Sequence, residues 1–275
     1  MARSVPRIPT MIYGTAWKQE ATKELAKKAL LAGFDAIDTA NQKKHYREDF
    51  LGEALAELFN EGVTRESLFL QSKFTYVQGQ DHRLPYNPED DIPTQVMSSF
   101  KSSLKNLHTS YLDSYLLHGP MLRDGLHNND VAVWQKMEDI CRAGQARKIG
   151  ISNVGYGQLE KLFSGATIKP MFVQNRCYAE TGWDREVREY CLDNEIVYQG
   201  FSLLTANPQF VSSSEVLKIA QRLGVTAQQV TFRYCIQIGI LPITGTSDLE
   251  HMKQDLASRD LELSDAEVST LQGVR

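Results

Sequence analysis

Short apolar runs of strand character alternate with stretches of helical period along this chain, and that alternation limits its fold more than any other feature. The strand-like runs are residues 8–15, 36–40, 68–74, 112–118, 146–152, 171–175, 196–202 and 240–244. Between the first two, residues 21–33 carry Leu25, Ala26, Ala29 and Leu30 on one helical face. Phe50, Leu51, Ala54, Leu55, Leu58 and Phe59 mark a second helix, and Val96, Phe100, Leu104 and Leu107 a third. Helical patterning continues over 131–143, 158–163, 184–194, 214–223, 227–238 and 248–257. In a terminal helix at 264–271, Ser264 and Glu267 fit a capping box. Eight strand–helix units in 275 residues, about 34 each, predict one α/β domain over 1–275, a single parallel (β/α)8 TIM barrel. An open doubly wound sheet is the rival, because short apolar runs suit either.

Composition narrows the function. Thirty basic residues against 34 acidic ones leave a net charge of −4, with no basic stripe for nucleic acid. Lys23, Lys27 and Lys28 read as the solvated face of the first helix. No apolar stretch is long enough to span a bilayer, and no apolar export segment follows Arg3 and Arg7. Cys141, Cys177, Cys191 and Cys235 have neither metal-ligand nor CxxC spacing, so free thiols and a cytoplasmic location are expected. Asp81, His82, Asp90 and Asp91 fit no standard ligand set, so no metal is expected.

In a parallel barrel the chemistry sits where strands end and the following loops begin. Asp38 ends the second strand, Tyr46 lies in the loop behind it, Lys73 ends the third strand and His118 closes the fourth. Singly, each has a plain reading as a turn residue, a rim charge or a buried ring. Together they make a proton donor set. A phenol is too weak an acid to exchange protons readily near neutrality. A nearby ammonium favours the phenolate, a carboxylate places the ammonium, and an imidazole orients a carbonyl oxygen.

At these residues the chain resembles the aldo-keto reductases. The resemblance is carried by Gly14-Thr15-Ala16-Trp17, by residues 34–40 ending in Asp38-Thr39-Ala40, and by Tyr46-Arg47-Glu48. Ser72-Lys73, residues 112–118 ending in His118, and residues 147–153 ending in Ser152-Asn153 complete it, in order. It implies a barrel that takes a nicotinamide nucleotide and moves a hydride to an aldehyde or ketone. Tyr46 would be the general acid, Lys73 and Asp38 would tune it, and His118 would orient the substrate. Gly14, Thr15, Ala16 and Asp38 would face the cofactor. Ser152, Asn153 and Gln174 would take the carboxamide, Phe201 would stack on the nicotinamide, and Ser202 and Leu204 would lie beneath the pyrophosphate. Gly245, Thr246 and Ser247, then His251, Gln254 and Asp255, would hold the adenosine end, with the N–H groups of the eighth helix on its phosphate. Ser247 and Glu250 also read as a capping box.

The departures from the family pattern shape further expectations. Five residues, Asn41 to His45, separate Ala40 from Tyr46, more than is usual in the family, which predicts an outward bulge. Lys253 is the only full cation from Ile240 to Asp255, so the resemblance implies NADP(H) ahead of NAD(H) by a reduced margin. Gly119 stands where relatives carry a bulky aromatic, and no long tail follows the last helix, so an open pocket for a small carbonyl compound is expected. Trp17, Phe74, Tyr86 and Gly119 are its expected lining, with residues 76–92 as a long covering loop. A monomer fits this outline. A nucleotide-binding sensor with little turnover and a Schiff-base aldolase using Lys73 are the alternatives.

Overall fold

The computed structural model describes residues 8–274, so the expectation for the extreme N-terminus lies outside the described residues. Eight parallel strands close into a barrel in chain order: β1 (Ile12–Gly14), β2 (Ala36–Asp38), β3 (Phe69–Phe74), β4 (Leu112–Leu117), β5 (Ala146–Ser152), β6 (Phe172–Arg176), β7 (Val197–Phe201) and β8 (Leu241–Thr244). The seam is β1 against β8, with Ile12 opposite Ile243 and Tyr13 opposite Thr244. Around it run α1 (Thr22–Ala32), α2 (Glu48–Asn60), α3 (Ile92–Asn106), α4 (Asn128–Arg142), α5 (Tyr156–Gly165) and α6 (Arg185–Asp193). They are followed by α7 (Pro208–Val211), α8 (Ser214–Leu223), α9 (Ala227–Gln237), α10 (Leu249–Ala257) and α11 (Asp265–Gln272).

The elements start and stop for local reasons. α1 ends at Gly33, whose φ of 111° few other residues adopt. Asp91 caps α3 through the Thr94 N–H, and Ser264 with Glu267 forms the expected capping box of α11. The first strand, Ile12–Gly14, is shorter than its apolar run, and Pro9 near the start of that run has no N–H to give to a ladder.

Strand alternation sorts side chains into two cores. One face of each strand meets the helices, as Tyr115 meets Phe100 edge to face. The other face fills the barrel. Its apolar layer is Ile12, Ala36, Phe69, Leu116, Phe172, Leu241 and Ile243. Along β2, β3, β6 and β7 the inward positions then turn polar, at Asp38, Gln71, Gln174 and Gln199. That change of polarity builds the floor of the site.

Candidate active site

Lys73 is fully buried, and its ammonium is held by Asp38. Nζ donates to Asp38 Oδ1 at 2.7 Å and Oδ2 at 2.6 Å, and to the Thr39 carbonyl at 2.8 Å. Burial lowers the pKa of Lys73, and Asp38 opposes that shift. Asp38 Oδ1 also accepts from Gln71 Nε2 at 2.8 Å and Gln174 Nε2 at 3.0 Å.

The residues added before Tyr46 do not swing it away from this pair. They fold as a turn in which the N–H groups of His45 and Tyr46 both donate to the Gln42 carbonyl. The loop after β3 clamps that turn: Gln42 Nε2 donates to the Gly79 carbonyl, Gln80 Nε2 to the Asn41 carbonyl, and Arg83 Nη2 to the Lys43 carbonyl. Trp17 stacks on His45 with ring centroids 3.7 Å apart. The Tyr46 ring centre therefore sits 5.2 Å from Lys73 Nζ and 5.9 Å from the His118 ring.

Tyr46 and His118 each keep one polar atom for a ligand. His118 Nδ1 is 2.7 Å from Thr75 Oγ1, while Nε2 bonds to no described residue. The Tyr46 hydroxyl likewise bonds to no described residue. Neither atom is among the buried polar atoms left without a partner, so both reach solvent. Burial, with Lys73 and then His45 nearby, pushes the His118 pKa down to about 3, which keeps the imidazole neutral. The phenol shifts opposite to the sequence-based expectation. Burial first, and Asp38 second, raise the pKa of Tyr46. The ammonium does not dominate because Asp38 already neutralises it.

On the opposite wall, Ser152 Oγ donates to the backbone carbonyl of Gln174 at 2.7 Å, and Asn153 Nδ2 donates to the backbone carbonyl of His118 at 2.8 Å. Asn153, with φ of 52°, and Ser202, with φ of 58°, are left-handed at the ends of β5 and β7, a conformation that costs energy at a non-glycine residue. Gln174 spends both amide hydrogens, on Asp38 Oδ1 and on Gln199 Oε1, so only its carbonyl oxygen remains for a ligand. A free acceptor suits the NH2 of a nicotinamide carboxamide. Phe201 and Leu204 are half-buried at the same rim, near Arg176, whose guanidinium lies 5.9 Å from the Phe201 ring. Arg176 and Asn153 also line an adjoining cavity of about 360 Å³.

β1 closes the ring of loops. A side chain at Gly14 would crowd Ile243, whose Cγ2 would lie 3.0 Å from its Cβ. The Thr15 N–H and hydroxyl both donate to the Asp38 carbonyl, and Ala16 is half-buried beside them. At the far end of the rim, Lys18 Nζ donates to the Gly245 carbonyl, and Tyr13 donates to the Thr246 carbonyl. Ser247 does not cap α10. Asp248 does, by accepting from the His251 N–H at 2.9 Å, so a carboxylate already occupies the helix end expected to meet a phosphate. Asp255 is turned inward to accept from Thr244 Oγ1 at 2.7 Å, and burial lifts its pKa to about 6. Gln254 beside it is half-buried.

Two expected pocket residues belong elsewhere. Phe74 follows Lys73 directly, so alternation turns it to the outer face, where it packs fully buried against Tyr76 and Tyr86. The Tyr86 hydroxyl donates to the Thr75 carbonyl, so that ring anchors the long loop. Trp17 is 69% exposed at the mouth, and Gly119 leaves ordinary contact distance to Asn153. Gln71, Gln199 and Thr75 went unrecognised in the sequence. Their signal was a spacing of two from Lys73 or Phe201, which puts each on the same inward face. Among the described residues, no cluster of three or more His, Cys, Asp or Glu side chains is placed to hold a metal.

A profile of the Aldo/keto reductase family matches residues 10–275. The chain belongs to that family. It is 31% identical over 281 residues to an NAD(P)H-dependent 6'-deoxychalcone synthase of Glycine max, covering 94% of this chain and 84% of the relative. It is 30% identical over 282 residues to an NADPH-dependent codeinone reductase of Papaver somniferum, covering 94% and 83%. Among solved structures, an aldo-keto reductase from a Medee basin deep-sea metagenome library superposes with a TM-score of 0.84 at 24% identity, covering 98% of this chain and 92% of the other. A Bombyx mori aldo-keto reductase in complex with NADP gives 0.79 at 24% identity, covering 96% and 88%. At that identity the two structures speak for the barrel alone.

Proposed function

We propose that this aldo/keto reductase reduces an aldehyde or ketone to an alcohol with a nicotinamide nucleotide, NADPH ahead of NADH. One observation carries the reading: the Tyr46 hydroxyl and His118 Nε2, on rings 5.9 Å apart, are both open to a ligand. A carbonyl oxygen placed between them takes a hydrogen bond from each. The bound nucleotide supplies the hydride. As negative charge grows on the oxygen, Tyr46 delivers its proton to the developing alkoxide, a stronger base than the phenolate left behind, although burial makes the phenol a weaker acid. His118 is neutral, so its Nε2–H orients the oxygen without becoming the proton source. Lys73, held by Asp38, keeps positive charge close to the phenolate that forms.

Gln174, with Asn153 and Ser152, fits the carboxamide end of the nucleotide, and Phe201 offers an aromatic face for the ring. NADPH comes from the names of the relatives. Exposed Trp17 and the small Gly119 support a wide entrance, hence a substrate class set by the carbonyl rather than by a tight pocket. We place the protein in the cytoplasm on its four free thiols; among the described residues no helix is long and apolar enough to cross a membrane. The test is consumption of NADPH on adding simple aliphatic and aromatic aldehydes. Aldehyde-dependent consumption with alcohol formed in equal amount is expected. Tight NADPH binding without any turnover would overturn the reading in favour of a sensor.

A further inference from the structure

Three buried glutamines and one carboxylate make a directed network beneath the mouth. The two ends of a glutamine amide are nearly the same shape, and only the hydrogen-bond partners decide which end points where. Here the Asp38 carboxylate sets the direction, because it can only accept. It takes Nε2 of Gln71 at 2.8 Å and Nε2 of Gln174 at 3.0 Å, so both glutamines must turn their NH2 groups inward. Gln199 Oε1 accepts the second hydrogen of each, at 2.8 Å from Gln71 and 2.9 Å from Gln174. Gln199 Nε2 returns a bond to Gln71 Oε1 at 3.0 Å. Gln71 and Gln199 are fully buried with both ends used. The side-chain oxygen Oε1 of Gln174 alone is without a described partner, and it reaches solvent.

We propose that Gln199, together with Gln71, is a positioning residue that locks Gln174 with its carbonyl oxygen toward the mouth. The site then accepts a carboxamide N–H of the ligand and rejects a carboxylate in the same place. Gln199 acts only through Gln174. With Gln199 removed, Gln174 Nε2 keeps Asp38 but loses its second acceptor, so the amide rocks and its NH2 reaches the mouth part of the time. A carboxylate facing the fixed oxygen is repelled, whereas one facing the freed NH2 is tolerated.

The inference rests on the nicotinamide reading, and the experiment separates the two. Isothermal titration compares NADP+ with nicotinic acid adenine dinucleotide phosphate, which differs only in carrying a carboxylate for the carboxamide. The unmodified protein is expected to bind NADP+ at least about tenfold more tightly, the scale of one unsatisfied polar contact. In Gln199→Met that ratio is expected to fall to about twofold or less. Gln71→Met, which removes the partner that holds Gln199, is expected to do the same and serves if the first variant fails to fold. Equal weakening of both nucleotides with an unchanged ratio means a merely structural role and overturns the proposal, as does a folded variant that binds like the unmodified protein. A protein that binds both nucleotides without preference overturns the lock but not the nicotinamide reading. If neither binds, the nicotinamide reading falls and the lock with it.

Discussion

At the scale of single residues, burial decides most of the electrostatics. Lys73 and Asp38 form an ion pair beneath the mouth, and removing either partner strands a charge, a loss of about 3–5 kcal/mol. Glu48 is the second buried charge near Lys73. Its Oε1 accepts from Ser72 and Ser103, yet burial outweighs them and lifts its pKa to about 7. The folded protein therefore holds a proton that the unfolded chain gives up near the ordinary glutamate pKa of 4.5. Stability from this group is full at low pH and is lost as pH rises through about 7. Glu48→Gln keeps an acceptor for the two serines and removes the titration. Urea unfolding at about pH 4 and about pH 8 should show the unmodified protein losing on the order of 3 kcal/mol more than the variant across that window. Parallel losses would contradict the assignment. The strand-end positions of Asp38, Lys73 and His118, and the loop position of Tyr46, were legible in the sequence. The direction of the Tyr46 shift was not, because it is set first by how deeply the folded chain buries the phenol and second by Asp38.

At the scale of elements, loops and strand faces explain both the successes and the misses. The two unusually long segments, residues 41–45 and the loop after β3, looked independent in the sequence, yet they bind each other and together hold Tyr46 in place. No periodicity reports a loop–loop contact. Phe74 was misplaced because the motif around Lys73 was read without applying the twofold alternation of β3, and Tyr86, in the loop beyond, packs on Phe74 on that outer face. The entrance of α10 carries the next prediction. Asp248 caps that helix, Glu250 sits in its first turn, Lys253 lies 3.8 Å from Glu250, and the Lys18 ammonium is engaged by the Gly245 carbonyl, so uncommitted positive charge for a 2′-phosphate is sparse. Fluorescence titration should give NADPH an advantage over NADH of no more than about tenfold, roughly 1.4 kcal/mol. Asp248→Ser keeps a capping oxygen and should strengthen NADPH more than NADH. An advantage above about a hundredfold in the unmodified protein would contradict this view of the helix entrance.

For the whole molecule, the barrel was readable because each strand–helix unit repeats the same switch of hydrophobic period, and β5 and α8 fall where the pattern placed them. The polar layer inside the barrel was not readable. A glutamine in an apolar run looks like an interruption until closure brings β3, β6 and β7 around one axis. Gln71 and Gln199 are 128 residues apart in sequence and 2.8 Å apart in space. The same closure gathers Tyr46, Lys73 and His118 into one mouth, and the account depends on Tyr46 being the proton donor there. The most direct measurement is the steady-state rate of aldehyde reduction by Tyr46→Phe, read beside its nucleotide dissociation constant. The account predicts a fall in kcat of about a hundredfold to ten-thousandfold with the nucleotide bound as tightly as before. A Tyr46→Phe enzyme that turns over at the unmodified rate would contradict it.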